Sequence, residues 1–296
     1  MKPEILKNIF AAAGVFFAAI IALSVLLALV FGRKDAWRPD VAVLSLEGII
    51  TDAEAIREQI KEIEEIDSIK AVVVRINTPG GAVAPSQEIH GEIKRLRKTK
   101  KVVASMGAIA ASGGYYAAVA ADRIVANPGT ITGSIGVIVE FINAEELLGK
   151  LGLKGYVIKS GRFKDSGSPI RKMEDEERRL LQSVVDDINA QFISAVAEGR
   201  SLKVEAVKGI ADGRIFSGAQ AKEKGLVDDL GDLTDAINIG AGMAGIKDKP
   251  EVIYTGKTEF EFLELFKNSV ARGLNGYFAE LFTGMRVMYL TPNFQG

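Results

Sequence analysis

Two stretches of the chain put small, flexible residues directly after strand-like runs, where a strand would end. The first is Asn77-Thr78-Pro79-Gly80-Gly81, after the β-branched run Lys70–Ile76. The second is Ala110-Ala111-Ser112-Gly113-Gly114-Tyr115, beyond Lys101–Ser105. Paired glycines turn the backbone sharply and let a ligand approach N–H groups, and they also make plain turns. Ser112 opens an Ala-rich helix, whose unpaired N–H groups and partial positive charge suit a developing oxyanion. At that position a serine is equally well read as a helix cap.

A serine nucleophile needs a base. The chain has one histidine, His90, in the charged stretch Ser86-Gln87-Glu88-Ile89-His90-Gly91-Glu92, which reads as a solvated helix surface. The other common base is a lysine. A free lysine titrates near about 10.4 and must be desolvated to act near neutrality. Most lysines here lie in charged helical stretches. Lys164 differs, standing in the Gly/Ser loop Ser160–Pro169 after an extended segment. Exposure is the default for a loop lysine, and a nearby Asp165 carboxylate would raise its pKa.

The 296 residues contain no cysteine, which excludes disulfides, thiolate metal sites and cysteine nucleophiles. A single histidine excludes a His-rich metal site. Lys+Arg is 37 against Asp+Glu 38, without the basic excess of a nucleic-acid binder. A hydrophobic share of 48% with 25% charged residues gives ample material for a core.

Strand-like and helical segments alternate across the soluble part. Val41–Leu46, Lys70–Ile76, Lys101–Ser105, Arg123–Ala126 and Val137–Phe141 read as strands. Ala53–Ile66, the stretch to about Lys98, Ala111–Ala121, Ala144–Leu151 and Met173–Glu198 read as helices. The last carries Leu181, Val184, Ile188, Phe192 and Val196 on one face. Such alternation predicts an α/β fold with helices covering a mostly parallel sheet. Before it, residues 1–8 form a stub. Residues 9–31 hold no charge and one polar side chain, Ser24, and as a helix would be about 35 Å long, enough to span a bilayer. The stretch is too long, and its end Leu29-Val30-Phe31 too bulky, for a cleaved signal peptide. Flanking charges do not set its orientation. Residues 32–40 read as a linker, and 247–296 as an apolar tail needing burial, with assembly contacts expected to supply it.

Five motifs, in order, make the chain resemble the short, single-domain signal peptide peptidases (SppA), which are membrane-anchored Ser–Lys peptidases. They are Arg75-Ile76-Asn77-Thr78-Pro79-Gly80-Gly81, Ala111-Ser112-Gly113-Gly114-Tyr115-Tyr116, Thr132-Gly133-Ser134-Ile135-Gly136, Gly161-Arg162-Phe163-Lys164-Asp165, and Asp212–Gly218 with Gly225–Asp228. The resemblance covers about residues 41–245. It implies a Clp protease/crotonase-like fold, a repeated β-β-α superhelix, for a peptidase domain over 41–246. It implies Ser112 as nucleophile, Lys164 as general base and Ser134 as the hydroxyl that holds the amine. Gly113 and one N–H from Gly80-Gly81 would form the oxyanion hole. No cofactor or metal is implied. The implied setting is a homo-oligomeric ring at the plasma membrane, held by lipid contact through residues 9–31, with its catalytic domain extracytoplasmic. Its substrates would be remnant signal peptides and other short or unfolded chains. Alternatives are a Ser–Lys membrane protease partnering a stomatin-like protein, a crotonase-type acyl-CoA enzyme, or an inactive scaffold.

Overall fold

A computed structural model describes residues 20–23 and 38–255. Its frame is three parallel strands, β1 (Val41–Ile50), β2 (Ala71–Gly81) and β3 (Lys101–Ala111), with Val43 opposite Val73 and Val73 opposite Val103. β3 pairs along its other edge with two strands in turn. Val103–Met106 meets β4 (Arg123–Ala126), and Ile109–Ala111 meets β5 (Ile131–Gly133). β6 (Ile215–Ser217) runs antiparallel to β5, β7 (Asp229–Leu230) lies beside β4, and β8 (Val252–Tyr254) is parallel to β1. The helices are α1 (Glu54–Glu64), α2 (Val83–Leu96), α3 (Gly113–Ala118), α4 (Glu145–Lys150), α5 (Asp175–Arg200), α6 (Val204–Lys208), α7 (Gly218–Glu223) and α8 (Leu233–Met243).

Strand side chains alternate between the two faces of the sheet. Leu44, Val72, Val74, Ile76 and Met106 pack with Ile60 of α1, Ile89 and Ile93 of α2, and Phe192 and Val196 of α5. The intervening Val41, Val43, Val73, Val103 and Val125 pack with Ala236 and Ala241 of α8. Burial on both faces explains why these strands read as continuous Val/Ile runs. Each such side chain contributes about 1.5–3 kcal/mol.

The predicted α/β class and largely parallel sheet match this structure; β5–β6 is the antiparallel pair among the described strands. Two strands run further than expected. β2 continues through Pro79 to Gly81, because Gly80 and Gly81 stay paired with Ile49 and Ile50 after an irregularity in β1. The glycine pair is therefore a strand end rather than a plain turn. β3 runs to Ala111 because β5 gives its second half a partner, which shortens the following helix to α3. Val137–Phe141, expected as a strand, has no partner strand among the described residues, and Ile138 and Ile142 are exposed. Val252–Tyr254, at the start of the expected tail, is part of the sheet. Residues 256–296 lie outside the described residues, as does nearly all of the expected span 9–31. No described helix is long and apolar enough to cross a membrane.

Candidate active site

The site begins with sheet register. Ala111 of β3 lies opposite Gly133 of β5, so the residues that follow, Ser112 and Ser134, leave adjacent parallel strands at the same level. The Ser112 N–H donates to Gly133 O at 2.9 Å, and the Ser134 N–H to Arg214 O at 2.9 Å. Both serines have positive φ, 52° and 51°. A left-handed backbone costs a residue with a β-carbon about 1–2 kcal/mol. Strain of this kind persists where the surrounding structure fixes the backbone, and it gathers at functional sites. In Ser112 it makes a sharp strand-to-helix turn that presents the hydroxyl at the sheet's edge. The side chain makes no hydrogen bond that caps α3, which sets aside the capping role.

Gly113 follows as the first residue of α3, where N–H groups have no partner within the helix. A β-carbon there would fall 2.3 Å from Ser86 Oγ. Gly80 has φ +102°, and its β-carbon would lie 2.7 Å from Gly113 N and 2.9 Å from Ser112 Cβ. The two glycines thus allow β2 to press against the serine turn. The Gly80 N–H is already engaged, donating to Thr78 Oγ1 at 3.0 Å. Ala82 N–H faces β1, donating to Ile50 O at 2.8 Å. Gly81, Ser112 and Gly113 line one cavity together. Of the predicted pair, Gly80 makes the close approach to the serine turn and Gly81 lines the cavity.

Two cavities open at Ser112. One, of about 30 Å³, is walled by Val83, Tyr116, Val137, Ile188 and Phe192. The other, of about 440 Å³, contains Ser134, Gln182, Asp186, Asn189 and Asp212, and among the described residues no basic side chain lines it. In the described structure Asn189 Oδ1 is buried without a hydrogen-bond partner. A third cavity, about 380 Å³ beside Phe141 and Arg171, shares Gln182 and Val185 with the second but holds neither serine. The expected stripe on α5 thus divides: Phe192 and Val196 are buried, while Leu181 and Ile188 line cavities.

Lys164 is not brought to Ser112 within the chain. It is exposed in its loop, its N–H donates to Gly161 O at 3.2 Å, and it lines neither cavity at Ser112. The neighbouring Asp165 carboxylate is committed elsewhere, accepting from Arg171 Nε at 2.8 Å and Lys159 Nζ at 2.5 Å. Arg171 first, then Lys159, holds it well below the usual carboxylate range. Arg171 also pairs with buried Glu177, which accepts from Glu174 N–H at 2.8 Å and Ser166 Oγ at 3.2 Å. Arg171, followed by the Glu174 N–H, lowers Glu177 to about 2. This network pins the Lys164 loop to the start of α5; of its residues the sequence singled out Asp165 but not Arg171 or Glu177.

His90 is half-buried rather than a solvated surface group. Its ring meets Tyr116 edge-on at 5.1 Å, and it lines neither cavity at Ser112. Burial first, then Lys94 and Arg97, lowers its pKa against the opposing pull of Glu198.

Family models match residues 94–247 (peptidase family S49) and 41–129 (Clp protease). The chain belongs to peptidase family S49. It is 48% identical over 222 residues to a protein of Synechocystis sp. named as a protease, covering 74% of this chain and 80% of that one. It is 38% identical over 220 residues to a protein named signal peptide peptidase SppA in Enterococcus faecium, covering 70% and 64%. A Methanocaldococcus jannaschii protein named as a protease is 36% identical over 224 residues, covering 76% and 72%. The chain is a serine peptidase with a mixed α/β, Clp-protease-like domain.

Proposed function

We propose that this chain is a membrane-anchored endopeptidase that cleaves remnant signal peptides and other short or unfolded peptides with a Ser112–Lys164 dyad. The observation that carries this reading is the shared level of Ser112 and Ser134 at the ends of β3 and β5, both in strained backbone, with Gly113 and Gly81 beside them. Ser112 Oγ attacks the peptide carbonyl and gives its proton to the neutral Lys164 amine. The carbonyl oxygen becomes an oxyanion facing the Gly113 and Gly81 N–H groups. Lys164 returns the proton to the leaving amine, and water repeats the sequence on the acyl-enzyme.

Lys164 is exposed in one copy, so the reading includes its delivery from a neighbour. The larger cavity at Ser112 suits an incoming amine: it offers Ser134, the unpartnered Asn189 Oδ1 and the Asp186 carboxylate, with no basic group among the described residues that line it. Ile142, Tyr156 and Ile158 are exposed in the segments around the Lys164 loop, an apolar surface of the kind that subunit contacts cover. A ring built from head-to-tail contacts would bring one copy's loop to the next copy's cavity. The apolar run 9–31 serves as anchor in this reading, with the peptidase domain outside the plasma membrane. The β-β-α superhelix belongs to the same reading.

Ser112→Ala and Lys164→Ala proteins, co-expressed in equal amounts, test it. Each alone is inactive and, for Ser112→Ala, unlabelled by a fluorophosphonate probe. If the dyad spans two copies, random mixing restores about one quarter of the wild-type sites. Turnover by Ser112→Ala alone overturns the nucleophile, and no recovery on mixing overturns delivery from a neighbour.

A further inference from the structure

The smaller cavity beside Ser112 has a wall that is braced from outside. Tyr116 stands one turn after Ser112 on α3, and its N–H donates to Ser112 O at 2.8 Å. Its ring is held on two sides. Phe192 of α5 lies 4.8 Å away at 49°. Gln87 lines the same cavity and donates to Gln191 Oε1 at 2.9 Å. His90 meets the Tyr116 ring edge-on. Val83, Gln87 and His90 recur at helical spacing on α2, so one face of that helix runs from the cavity to the back of Tyr116.

Behind this wall is a different space. His90 lines an outer cavity of about 530 Å³ with Lys94, Arg97, Asp122 and Glu198. The Tyr116–His90 pair is thus the partition between a polar outer hollow and the apolar cavity at the nucleophile. On the Ser112 side the cavity is narrow, about 30 Å³, room for about two waters. Burial first, then Lys94 and Arg97, lowers the His90 pKa, which favours the neutral ring.

We propose that Tyr116, braced by His90, sets the size of the side chain accepted just before the scissile bond and confines it to alanine-sized residues. This rests on Ser112 being the nucleophile. His90 is a positioning residue: it touches no reacting group and acts through Tyr116. A larger aliphatic side chain must displace the tyrosine ring toward the outer cavity, and the His90 ring resists that displacement.

The test uses the full chain and peptides differing only in alanine, valine, leucine or phenylalanine before the cleaved bond. The wild type should favour alanine. His90→Ala should raise the leucine-to-alanine ratio of kcat/KM at least about tenfold, one hydrophobic side chain being worth that much discrimination. The gain should appear mainly as a lower KM for the leucine peptide. His90→Phe, which keeps a ring behind Tyr116, should restore the wild-type ratio, and Tyr116→Phe should retain it. Should His90→Ala fail to fold, His90→Asn also removes the ring and carries the same expectation. An unchanged ratio in a folded, active His90 variant overturns the proposal, as does a wild type that favours leucine. Persistent cleavage by Ser112→Ala would instead overturn the nucleophile on which it rests.

Discussion

Gly80→Ala separates the geometry of the site from the stability of the fold. The new methyl group would sit 2.7 Å from Gly113 N, 2.9 Å from Ser112 Cβ and 3.0 Å from Ala111 O, and none of these is the free end of a flexible side chain. Its φ of +102° adds a conformational cost. Overpacking costs about 1–3 kcal/mol and a left-handed backbone about 1–2 kcal/mol, against a typical stability of about 5–15 kcal/mol. The variant should fold at 25 °C with a clearly lower urea midpoint. Relief must come from moving the Ser112–Gly113 turn away from β2, which misaligns the Gly113 donor. Losing one oxyanion donor lowers kcat by about 10²–10³ in other enzymes, and a loss of that order is expected here. Gly129→Ala is the control: no atom lies within 4 Å of the new β-carbon, so both stability and turnover should hold. Peptide turnover and urea unfolding on the same preparations decide the matter. Wild-type kcat in Gly80→Ala would refute the assignment of Gly113 as an oxyanion donor, and an unchanged urea midpoint would refute the packing estimate.

Two further outcomes are expected. Lys164→Arg should be as inactive as Lys164→Ala in peptide turnover, because a guanidinium stays protonated and cannot accept the Ser112 proton; an active arginine variant would remove Lys164 from the dyad. Glu177 is lowered to about 2, against about 4.3 when unfolded, so its contribution to stability is complete above about 4.3 and is lost as pH falls through about 2. Glu177→Gln should therefore lower the urea midpoint at neutral pH and converge with the wild type near pH 2. A difference independent of pH would refute the ionic role of the Arg171–Glu177 contact.

Much of the frame was legible in the sequence, for a physical reason. Strands buried on both faces leave unbroken apolar runs, and Val72, Val73, Val74 and Ile76 all lie in the core. Strand ends were less legible, because they depend on partners remote in sequence. Nothing local in Gly80-Gly81 reveals Ile49 and Ile50 opposite, and nothing in Ile109–Ala111 reveals β5. α8 was missed because Gly240, Ala241 and Gly242 give a helix little hydrophobic contrast. The Ser112 and Ser134 motifs stand out in the sequence, but the register that aligns the two residues is a property of the sheet. His90 was misread for a related reason. Its charged neighbours on α2 suggested solvent, while the ring that buries it, Tyr116, comes from α3. The twin tyrosines also looked alike in sequence. Tyr115 is fully buried and donates to Leu226 O at 2.9 Å, anchoring α3, whereas Tyr116 faces the cavity.

Under the proposed dyad the chemistry divides between rigid and exposed parts. Ser112, Ser134, Gly81 and Gly113 are fixed by strand register and a packed core, so their relative positions follow once the sheet forms. The Lys164 loop has no such support from the sheet. It is held by Arg171, Asp165 and Glu177 at the start of α5, and that network engages the one carboxylate adjacent to Lys164 in sequence. Under the proposed dyad, the catalytic parts of a single chain are each ordered but not combined. Such a chain would carry a nucleophile without a base, and hydrolysis would begin only where two copies meet. Under that proposal the onset of activity would depend on assembly, because an isolated copy could not activate Ser112.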